Sequence, residues 1–145
     1  MDAAVQHALR VQRALSMGNY HALFEMYLNA PNMGAYIMDH FIDRERAKAL
    51  VIMTKAYVLQ LSPFCVSSLI FTDRYRTLTL AFIQNELGFE TLTEALTYLH
   101  THRAALFTDP DSSDREKVLD CKAAAPFITQ TYEAKYRKVA IKGAV

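Results

Sequence analysis

The chain has 145 residues and a mass of 16.5 kDa, the size of one ordinary domain, which leaves little room for two independent cores. Apolar residues make up 52% and charged residues 21%, so the composition is that of a folded globular chain and excludes intrinsic disorder. Four Gly and four Pro exclude collagen-like and low-complexity designs, and a net charge of +1 gives no general attraction to polyanions.

The first half of the chain has the pattern of four helices joined by short turns. Apolar residues at helical spacing from Val5 predict a first helix that ends at Gly18, and Asn19 is a suitable N-cap for the second. Pro31 opens a third, short helix, and Asp43 caps the fourth. The third helix is expected to direct four side chains toward the core: Tyr36, Ile37, His40 and Phe41. Such short turns favour antiparallel stacking of successive helices.

The second half combines helices with short extended segments. One helix is predicted to end at Gly88, and Thr-Leu-Thr-Glu at residues 91–94 forms a capping box that starts the next. Two β-like segments, 105–108 and 118–121, then flank a turn rich in Asp and Ser. This order of two helices and a hairpin is the outline of a winged helix, with the acidic turn as the wing. Residues 62–77 show no clear pattern, and we treat them as a linker or insertion.

The C-terminal segment concentrates the positive charge of the chain. A helix after Pro126 is predicted to carry Tyr132 and Tyr136, and residues 122–145 hold five Lys or Arg against one Glu. In one interpretation the tyrosines stack on bases while the cations bind a nucleic-acid backbone. In the other, the tyrosines pack on the fold and the cations interact with a helix C-terminus. Charge count alone favours the second interpretation.

Motifs of nucleotide binding, hydrolysis and metal binding are missing from the sequence. It contains no phosphate-binding loop, dinucleotide fingerprint, nucleophile elbow or zinc-protease motif. His100 and His102 are two positions apart on a predicted helix, so they point in different directions and are unsuited to one metal ion. We interpret both as partly exposed helix-end histidines, and we expect no enzymatic activity, no cofactor and no metal.

The signals for cellular compartment are indirect. Cys65 and Cys121 are too few for a disulfide framework, and the first residues lack the basic and apolar regions of a secretory signal. The longest apolar stretch, residues 56–71, is interrupted by polar residues and is shorter than the roughly 20 residues of a membrane-spanning helix. We therefore expect a nuclear location, with the cytoplasm as an alternative, and no membrane contact.

Several segments resemble, in order, a known family. They are Gly-Asn-Tyr-His-Ala-Leu-Phe-Glu-Met-Tyr at 18–27, Ala-Pro-Asn-Met at 30–33, Asp-Arg-Glu-Arg at 43–46, Glu-Leu-Gly-Phe-Glu at 86–90 and Asp-Cys-Lys-Ala at 120–123. Together they resemble the SAC/GANP family, named after the yeast suppressor-of-actin protein and the germinal-centre-associated nuclear protein. Within it, the chain looks closer to the branch linked to transcription elongation and splicing than to the nuclear-pore scaffold.

The resemblance implies a PCI module, which is an antiparallel helical-repeat stack followed by a winged helix. Applied to this chain, it gives a mainly α fold with a small β-hairpin, corresponding to the C-terminal half of such a module. The predicted divisions are 1–61 for the helical-repeat part, 62–77 for a linker or insertion, 78–125 for the winged helix and 126–145 for a basic C-terminal helix.

The resemblance also implies a non-enzymatic scaffold subunit in nuclear messenger-RNA processing, export or transcription-coupled assembly. Such a subunit pairs with a second PCI-domain protein and with a small acidic subunit of the proteasome-lid type, and it contacts RNA or single-stranded nucleic acid. A different hypothesis is a stand-alone winged-helix protein that binds nucleic acid. A third, an enzyme built on Asp39, His40 and Asp43, has only those three residues to support it.

We place the predicted functions on two surfaces. Because the acidic wing would repel phosphates, the winged-helix face is expected to pair with protein. The expected protein-interface residues are Thr93, Thr97, Thr101, Asp109, Asp111, Asp114 and Glu116. The expected nucleic-acid-binding residues are Arg103, Lys135, Arg137, Lys138 and Lys142.

Overall fold

A computed structural model of the protein describes residues 2–31, 33–60 and 78–137. These segments form a mainly helical fold with a small antiparallel sheet, as the sequence predicts. The elements, in chain order, are α1 (Ala3–Met17), α2 (Tyr20–Leu28), α3 (Gly34–Gln60), β1 (Leu78–Thr79), α4 (Leu80–Glu86), α5 (Leu92–Thr101), β2 (Val118–Leu119) and α6 (Cys121–Tyr132), which continues as a π-helical turn (Glu133–Arg137).

The turn between α1 and α2 is built as the sequence predicts. Gly18 ends α1 in the left-handed conformation, with φ +68°, which glycine adopts without a clash at Cβ. Asn19 then caps α2, because its side-chain oxygen accepts a hydrogen bond from the Ala22 N–H at 3.2 Å. This local chemistry reverses the chain within two residues.

Helix α3 corrects the prediction of two helices separated at Asp43. A single helix runs through this position from Gly34 to Gln60. Asp43 is not an N-cap here; its carboxylate lies 3.6 Å from the guanidinium of Arg46, one turn further along the helix. The segment contains no proline, and a short acidic residue can serve either as a cap or as a partner at i+3, so its local sequence permits both structures.

The core is centred on α3, which contacts α2 on one side and α6 on another. From α6, Ala124 and Ile128 are fully buried, and Thr54 of α3 is buried with its hydroxyl donating to the Leu50 carbonyl at 2.8 Å. The largest fully buried apolar side chains are Leu23, Phe24, Leu50, Leu78, Leu80, Ile83, Leu87, Leu99 and Ile128. Residues from before and after 62–77 therefore share one hydrophobic core.

The sheet differs from the predicted hairpin. Val118–Leu119 pairs with Leu78–Thr79, which precedes α4, and the segment 105–108 contributes a single bridge between Phe107 and Leu119. Two further hydrogen bonds accompany it, from the Thr108 N–H to the Val118 carbonyl and from the Asp120 N–H to the Leu106 carbonyl. The hairpin is short because Asp120, at its far end, caps the next helix.

Helix α6 begins before the predicted start at Pro126. The Asp120 side chain accepts hydrogen bonds from the N–H groups of Lys122 and Ala123, and the helix runs from Cys121 through Pro126 to Tyr132. Cys121, expected in a strand, thus lies in the first turn of α6. Its side chain is buried as expected, and burial raises the pKa of this thiol to about 11.

The capping residues around α5 position that helix. Thr91 Oγ1 accepts a hydrogen bond from the Glu94 N–H, as the predicted capping box requires. The reciprocal bond is displaced by one residue, because the Glu94 carboxylate accepts from the N–H of Glu90 at 3.1 Å. Gly88, with φ +62°, completes the turn from α4.

The predicted divisions of the chain after residues 61, 77 and 125 remain predictions, and residues 61–77 lie outside the described part of the chain.

Candidate interaction surface

A buried arginine joins α3 to the turn between α4 and α5. Arg46 is only 6% exposed, and its guanidinium donates to the carbonyls of Leu87 at 3.1 Å and Gly88 at 2.8 Å. The same group lies over the ring of Phe89, 4.1 Å from its centroid. These contacts use both the planar fork and the flat face of the guanidinium, which a lysine could not reproduce.

Two carboxylates complete the surroundings of Arg46. Asp43 of α3 lies 3.6 Å from the guanidinium and Glu94 of α5 lies 3.7 Å from it. Both carboxylates are partly exposed, so each contributes modestly to stability. The pair of Arg46 with Glu94 joins the middle of α3 to the start of α5, whereas the pair of Arg46 with Asp43 lies within α3.

Tyr98 fixes the second turn of α5 against the same part of α3. Its hydroxyl donates to the backbone carbonyl of Asp43 at 3.0 Å, and its ring contacts Phe89, with 5.2 Å between the two centroids. Burial, reinforced by the nearby Tyr136 hydroxyl and Asp43, raises the pKa of Tyr98 well above its usual value. The phenol therefore stays protonated and remains a hydrogen-bond donor.

His102 lies beneath this aromatic pair with only 2% of its surface exposed, which corrects the prediction of a partly exposed residue. Its ring stacks on Tyr98 at 4.2 Å between centroids, and Nδ1 lies 2.9 Å from the Tyr98 carbonyl. Because a carbonyl can only accept, Nδ1 carries the proton and Nε2 offers a lone pair. Within the described residues, Nε2 has no partner. Burial is the main reason that the pKa of His102 is lowered.

A groove of about 460 Å³ opens between α3, α5 and the π-helical turn, and we call it the α5 groove. Its lining includes Thr93, Thr97 and Thr101 along α5, together with Lys135. The hydroxyls of Thr97 and Thr101 donate to the carbonyls four residues earlier, at 2.8 and 2.9 Å. Their donor hydrogens are thus already used, and the row presents oxygen lone pairs and methyl groups to a partner.

A second, smaller groove of about 370 Å³ lies between the end of α5 and α6, and we call it the basic groove. Arg103 and Lys135 line it together with Phe127, Gln130 and Thr131. Arg103 has φ +54°, a left-handed conformation that is uncommon for residues other than glycine. Lys135 lines both grooves, so it links the α5 groove to the basic groove.

Most of the chain matches one family of known proteins. The sequence profile of the SAC3/GANP family matches residues 1–107, from α1 through the bridge residue Phe107. The chain belongs to the SAC3/GANP family. This confirms the family that the ordered sequence segments resemble.

Three SAC3/GANP-type relatives share about a third of their residues with this chain over the aligned region. The THP3 homolog of Schizosaccharomyces pombe is 34% identical over 144 residues, which cover 99% of this chain and 31% of that protein. SAC3 family protein A of Arabidopsis thaliana is 31% identical over 132 residues, which cover 86% of this chain and 12% of that protein. Leukocyte receptor cluster member 8 homolog of Xenopus laevis is 32% identical over 121 residues, which cover 83% of this chain and 12% of that protein. No solved structure matches the chain significantly.

The chain thus spans less than a third of the length of the relatives it matches. In this SAC3/GANP chain, the predicted interface residues divide into two places. Thr93, Thr97 and Thr101 are exposed in the α5 groove, whereas residues 109–116 form an exposed loop that lines neither groove. The loop carries the predicted interface residues Asp109, Asp111, Asp114 and Glu116.

Two carboxylates of this loop have local partners. Asp114 pairs with Lys117 at 2.6 Å, and Glu116 accepts from the Ser113 hydroxyl at 3.2 Å. Both bonds join residues three positions apart, so they shape the turn, and neither reaches the α5 groove.

The predicted nucleic-acid residues are described only in part. Arg103 and Lys135 are exposed and line the basic groove, where the fold brings them together from two different elements. Arg137 ends the π-helical turn, and its side chain is outside the described set, as are Lys138 and Lys142. The sequence indicates Lys135, Arg137, Lys138 and Lys142 only through the number of cations near the C-terminus.

The two C-terminal tyrosines pack against the fold. Tyr132 contacts the hydrophobic core, and its ring centroid lies 5.9 Å from that of Tyr136. Both side chains are half-buried. The aromatic side chain that the basic groove does expose is Phe127, which the sequence interpretation did not single out. The sequence around Phe127 does not indicate that the ring is exposed, because its exposure depends on which face of α6 packs against α3.

A third groove, of about 600 Å³, is almost entirely apolar and lies between α1 and the first turns of α3; we call it the apolar groove. Tyr36 and Ile37 line it and are largely exposed, whereas the sequence predicted both in the core. His40 is exposed too, and Phe41 is half-buried. The helical spacing correctly indicated an apolar stripe, but it does not say which element covers that stripe.

The hypothetical site at Asp39, His40 and Asp43 is not brought together as a catalytic cluster. Asp39 accepts a hydrogen bond from the Tyr27 hydroxyl at 2.7 Å, and Asp43 faces Arg46. Among residues 2–31, 33–60 and 78–137, no three His, Cys, Asp or Glu side chains are grouped in a way that suits a metal ion. The described helices include none with the length and apolar character needed to cross a membrane.

Proposed function

We propose that this chain is part of a non-enzymatic scaffold in a nuclear assembly that acts in messenger-RNA processing, in messenger-RNA export or in transcription-coupled processes. Membership of the SAC3/GANP family, whose members are scaffold-type proteins, supports the proposal. The proposed partners are a second PCI-domain protein, a small acidic subunit of the proteasome-lid type, and RNA. The proposed location is the nucleus.

The order of elements from β1 to β2 supports a winged helix within a PCI module. In chain order it contains β1, two helices, the bridge at Phe107, an acidic loop and β2, which pairs with β1. This order has an additional strand at its start compared with the helix, helix and hairpin outline in the sequence. In this proposal, residues 109–116 are the wing and α5 is the exposed second helix.

The observation that carries the pairing proposal is the chemistry of the α5 groove. The hydroxyls of Thr97 and Thr101 there have already donated their hydrogens, and the carboxylates of Asp43 and Glu94 add further acceptors to the lining. A surface rich in acceptors suits a partner that brings N–H or O–H donors, as a protein does, and suits the phosphates of nucleic acid poorly. Protein pairing at the α5 groove is therefore the function that this geometry supports best.

Co-purification from nuclear extract after nuclease treatment tests the pairing. Thr97→Arg places a bulky cation in the α5 groove at an exposed helical position, so we expect it to remove a second PCI protein and a small acidic subunit from the purified material. Ser16→Arg is the matched control, because Ser16 is also exposed and also donates to its own helix, outside all three grooves. Recovery of the same partners with both variants would contradict the proposal.

The alternative is a stand-alone winged-helix protein that binds nucleic acid, and the basic groove favours it. Arg103 and Lys135 converge there beside an exposed aromatic ring. This function predicts an affinity for nucleic acid that falls steeply with salt and no stable protein partner. The scaffold predicts recovery of protein partners after nuclease treatment, so one purification separates the two functions.

A further inference from the structure

We propose that the basic groove is a stacking site for a base of single-stranded RNA, with Phe127 as the platform and with Arg103 and Lys135 as the phosphate-binding cations. The inference rests on the RNA contact in the proposed function and gives it a defined site. Neither the family match nor the sequence segments that resemble the family include Phe127.

The first observation is an exposed aromatic ring on a helix whose other face is buried in the core. Phe127 is 43% exposed, whereas Ala124 and Ile128, on the same helix, are fully buried. Gln130 and Thr131 follow Phe127 at i+3 and i+4, so the three residues lie on one face of α6 and line the same groove. The ring is therefore a surface feature that this side of the fold leaves open.

The second observation is charge. Arg103 and Lys135 approach the groove from different elements, and its lining in the described part of the chain contains no carboxylate. This sets it apart from the α5 groove, where Asp43 and Glu94 are present. An aromatic platform and two cations in one groove match the pattern by which proteins hold single strands, with bases stacked on rings and phosphates on the cations.

The third observation is the backbone of Arg103. This residue follows the end of α5 in a left-handed conformation, and its N–H donates to the His100 carbonyl at 2.9 Å. Glycine fills this position at lower steric cost, so folding alone does not call for an arginine. The side chain has a reason to be there if it binds a ligand, and it lines the groove.

The volume of the groove suits one nucleotide of a single strand. Its volume of about 370 Å³ lies near the lower end of the usual range for small-molecule sites, roughly 300–1,000 Å³. Bases within a duplex already stack on their neighbours and are not available to a side-chain ring. The amide of Gln130, with both a donor and an acceptor, can bond to the edge of a stacked base.

Fluorescence anisotropy with the complete chain and a labelled oligouridine tests this site. We expect Phe127→Leu to weaken binding roughly tenfold or more, because the base loses its aromatic partner, while the salt dependence stays the same. Phe82→Leu is the matched control: Phe82 is 41% exposed on α4 and lines neither the basic groove nor the α5 groove. Its affinity should equal that of the wild type.

Arg103→Gly separates ligand binding from folding. It should lower the slope of log affinity against log salt by about 0.7, the value for one phosphate contact on a single strand. Its thermal midpoint should be unchanged or higher, because glycine relieves the left-handed strain. Arg115→Gly, at an exposed position in the acidic loop, should leave the slope unchanged.

The outcomes distinguish this inference from the proposed function. If the wild type binds RNA and Phe127→Leu binds equally well, the stacking site is wrong while the RNA contact stands. If the wild type binds no RNA at low salt, the stacking site and the RNA contact of the proposed function are both wrong. If Phe127→Leu instead loses a protein partner and keeps its RNA affinity, the groove is a protein contact, and the inference is overturned.

Discussion

At the scale of single residues, Arg46 is a charged side chain that the sequence pattern predicts to be exposed and that the fold buries. In the sequence it belongs to the charged run Asp-Arg-Glu-Arg, which predicts a solvated helix face. In the fold its neighbour Arg44 is exposed, whereas Arg46 is buried and satisfies two backbone carbonyls of a turn more than forty residues away. Nothing in the local pattern distinguishes the two arginines, because the partners of Arg46 are distant in sequence.

His102 makes the stability of the protein dependent on pH. Its pKa in the fold is lowered from 6.5, chiefly by burial and also by Lys135, while Asp43 and the Tyr98 carbonyl act in the opposite direction. The unfolded chain therefore takes up a proton first as the pH falls. The stabilising contribution is complete above pH 6.5 and is lost as the pH falls below it, by at most about 1.4 kcal/mol per pH unit.

The test is urea unfolding at several pH values between neutral and mildly acidic. We expect His102→Asn, whose amide can still donate to the Tyr98 carbonyl, to reduce the pH dependence of the unfolding free energy. Thr101→Asn, at an exposed neighbouring position that carries no ionisable group, should leave that dependence unchanged. Equal pH profiles for the wild type and His102→Asn would contradict the prediction.

At the scale of elements, sequence reasoning succeeds where the deciding contacts are local. The sequence correctly predicts the turn and cap positions Gly18, Asn19, Gly88 and Thr91, because a left-handed turn or a helix cap is determined within three or four residues. The prediction that Asp43 is a cap is wrong. Its environment depends on Tyr98, which lies 55 positions away and donates to its carbonyl.

Gly18 and Gly88 both have positive φ, so alanine at each position separates the cost of backbone strain from the cost of a steric contact with a distant residue. A Cβ at Gly18 meets nothing within 4 Å, so Gly18→Ala should cost only the conformational strain, about 1 kcal/mol. A Cβ at Gly88 would lie 3.0 Å from the Cβ of Phe24, a fully buried residue that cannot easily move. Gly88→Ala should therefore reduce the unfolding free energy by more, about 2–3 kcal/mol.

Urea titration of the two variants under identical conditions measures the difference. Since both positions require positive φ, subtracting the Gly18→Ala effect from the Gly88→Ala effect leaves the contact with Phe24. Equal losses would show that α2 shifts away from the turn at no cost. That result would contradict the close packing between Phe24 and the α4–α5 turn.

At the scale of the whole molecule, α3 is the central helix of the fold and lines two of the three grooves. Its first turns line the apolar groove, Asp43 and Arg46 line the α5 groove, and its length packs against α6. The spacing of apolar residues predicts the apolar stripe on this helix. It does not predict which parts of the stripe are buried, because burial depends on the placement of α1, α2 and α6 around the helix.

The exposed part of that stripe gives a prediction for the whole protein in solution. Ile37 is 71% exposed in the apolar groove, so Ile37→Glu should change the unfolding free energy by less than about 0.5 kcal/mol while reducing the fluorescence of a bound apolar dye. Leu28→Glu is the control, because Leu28 is also exposed but lies outside the groove. It should leave dye binding unchanged. A large destabilisation by Ile37→Glu would mean that the groove is closed in solution, since burying a carboxylate among apolar groups is costly.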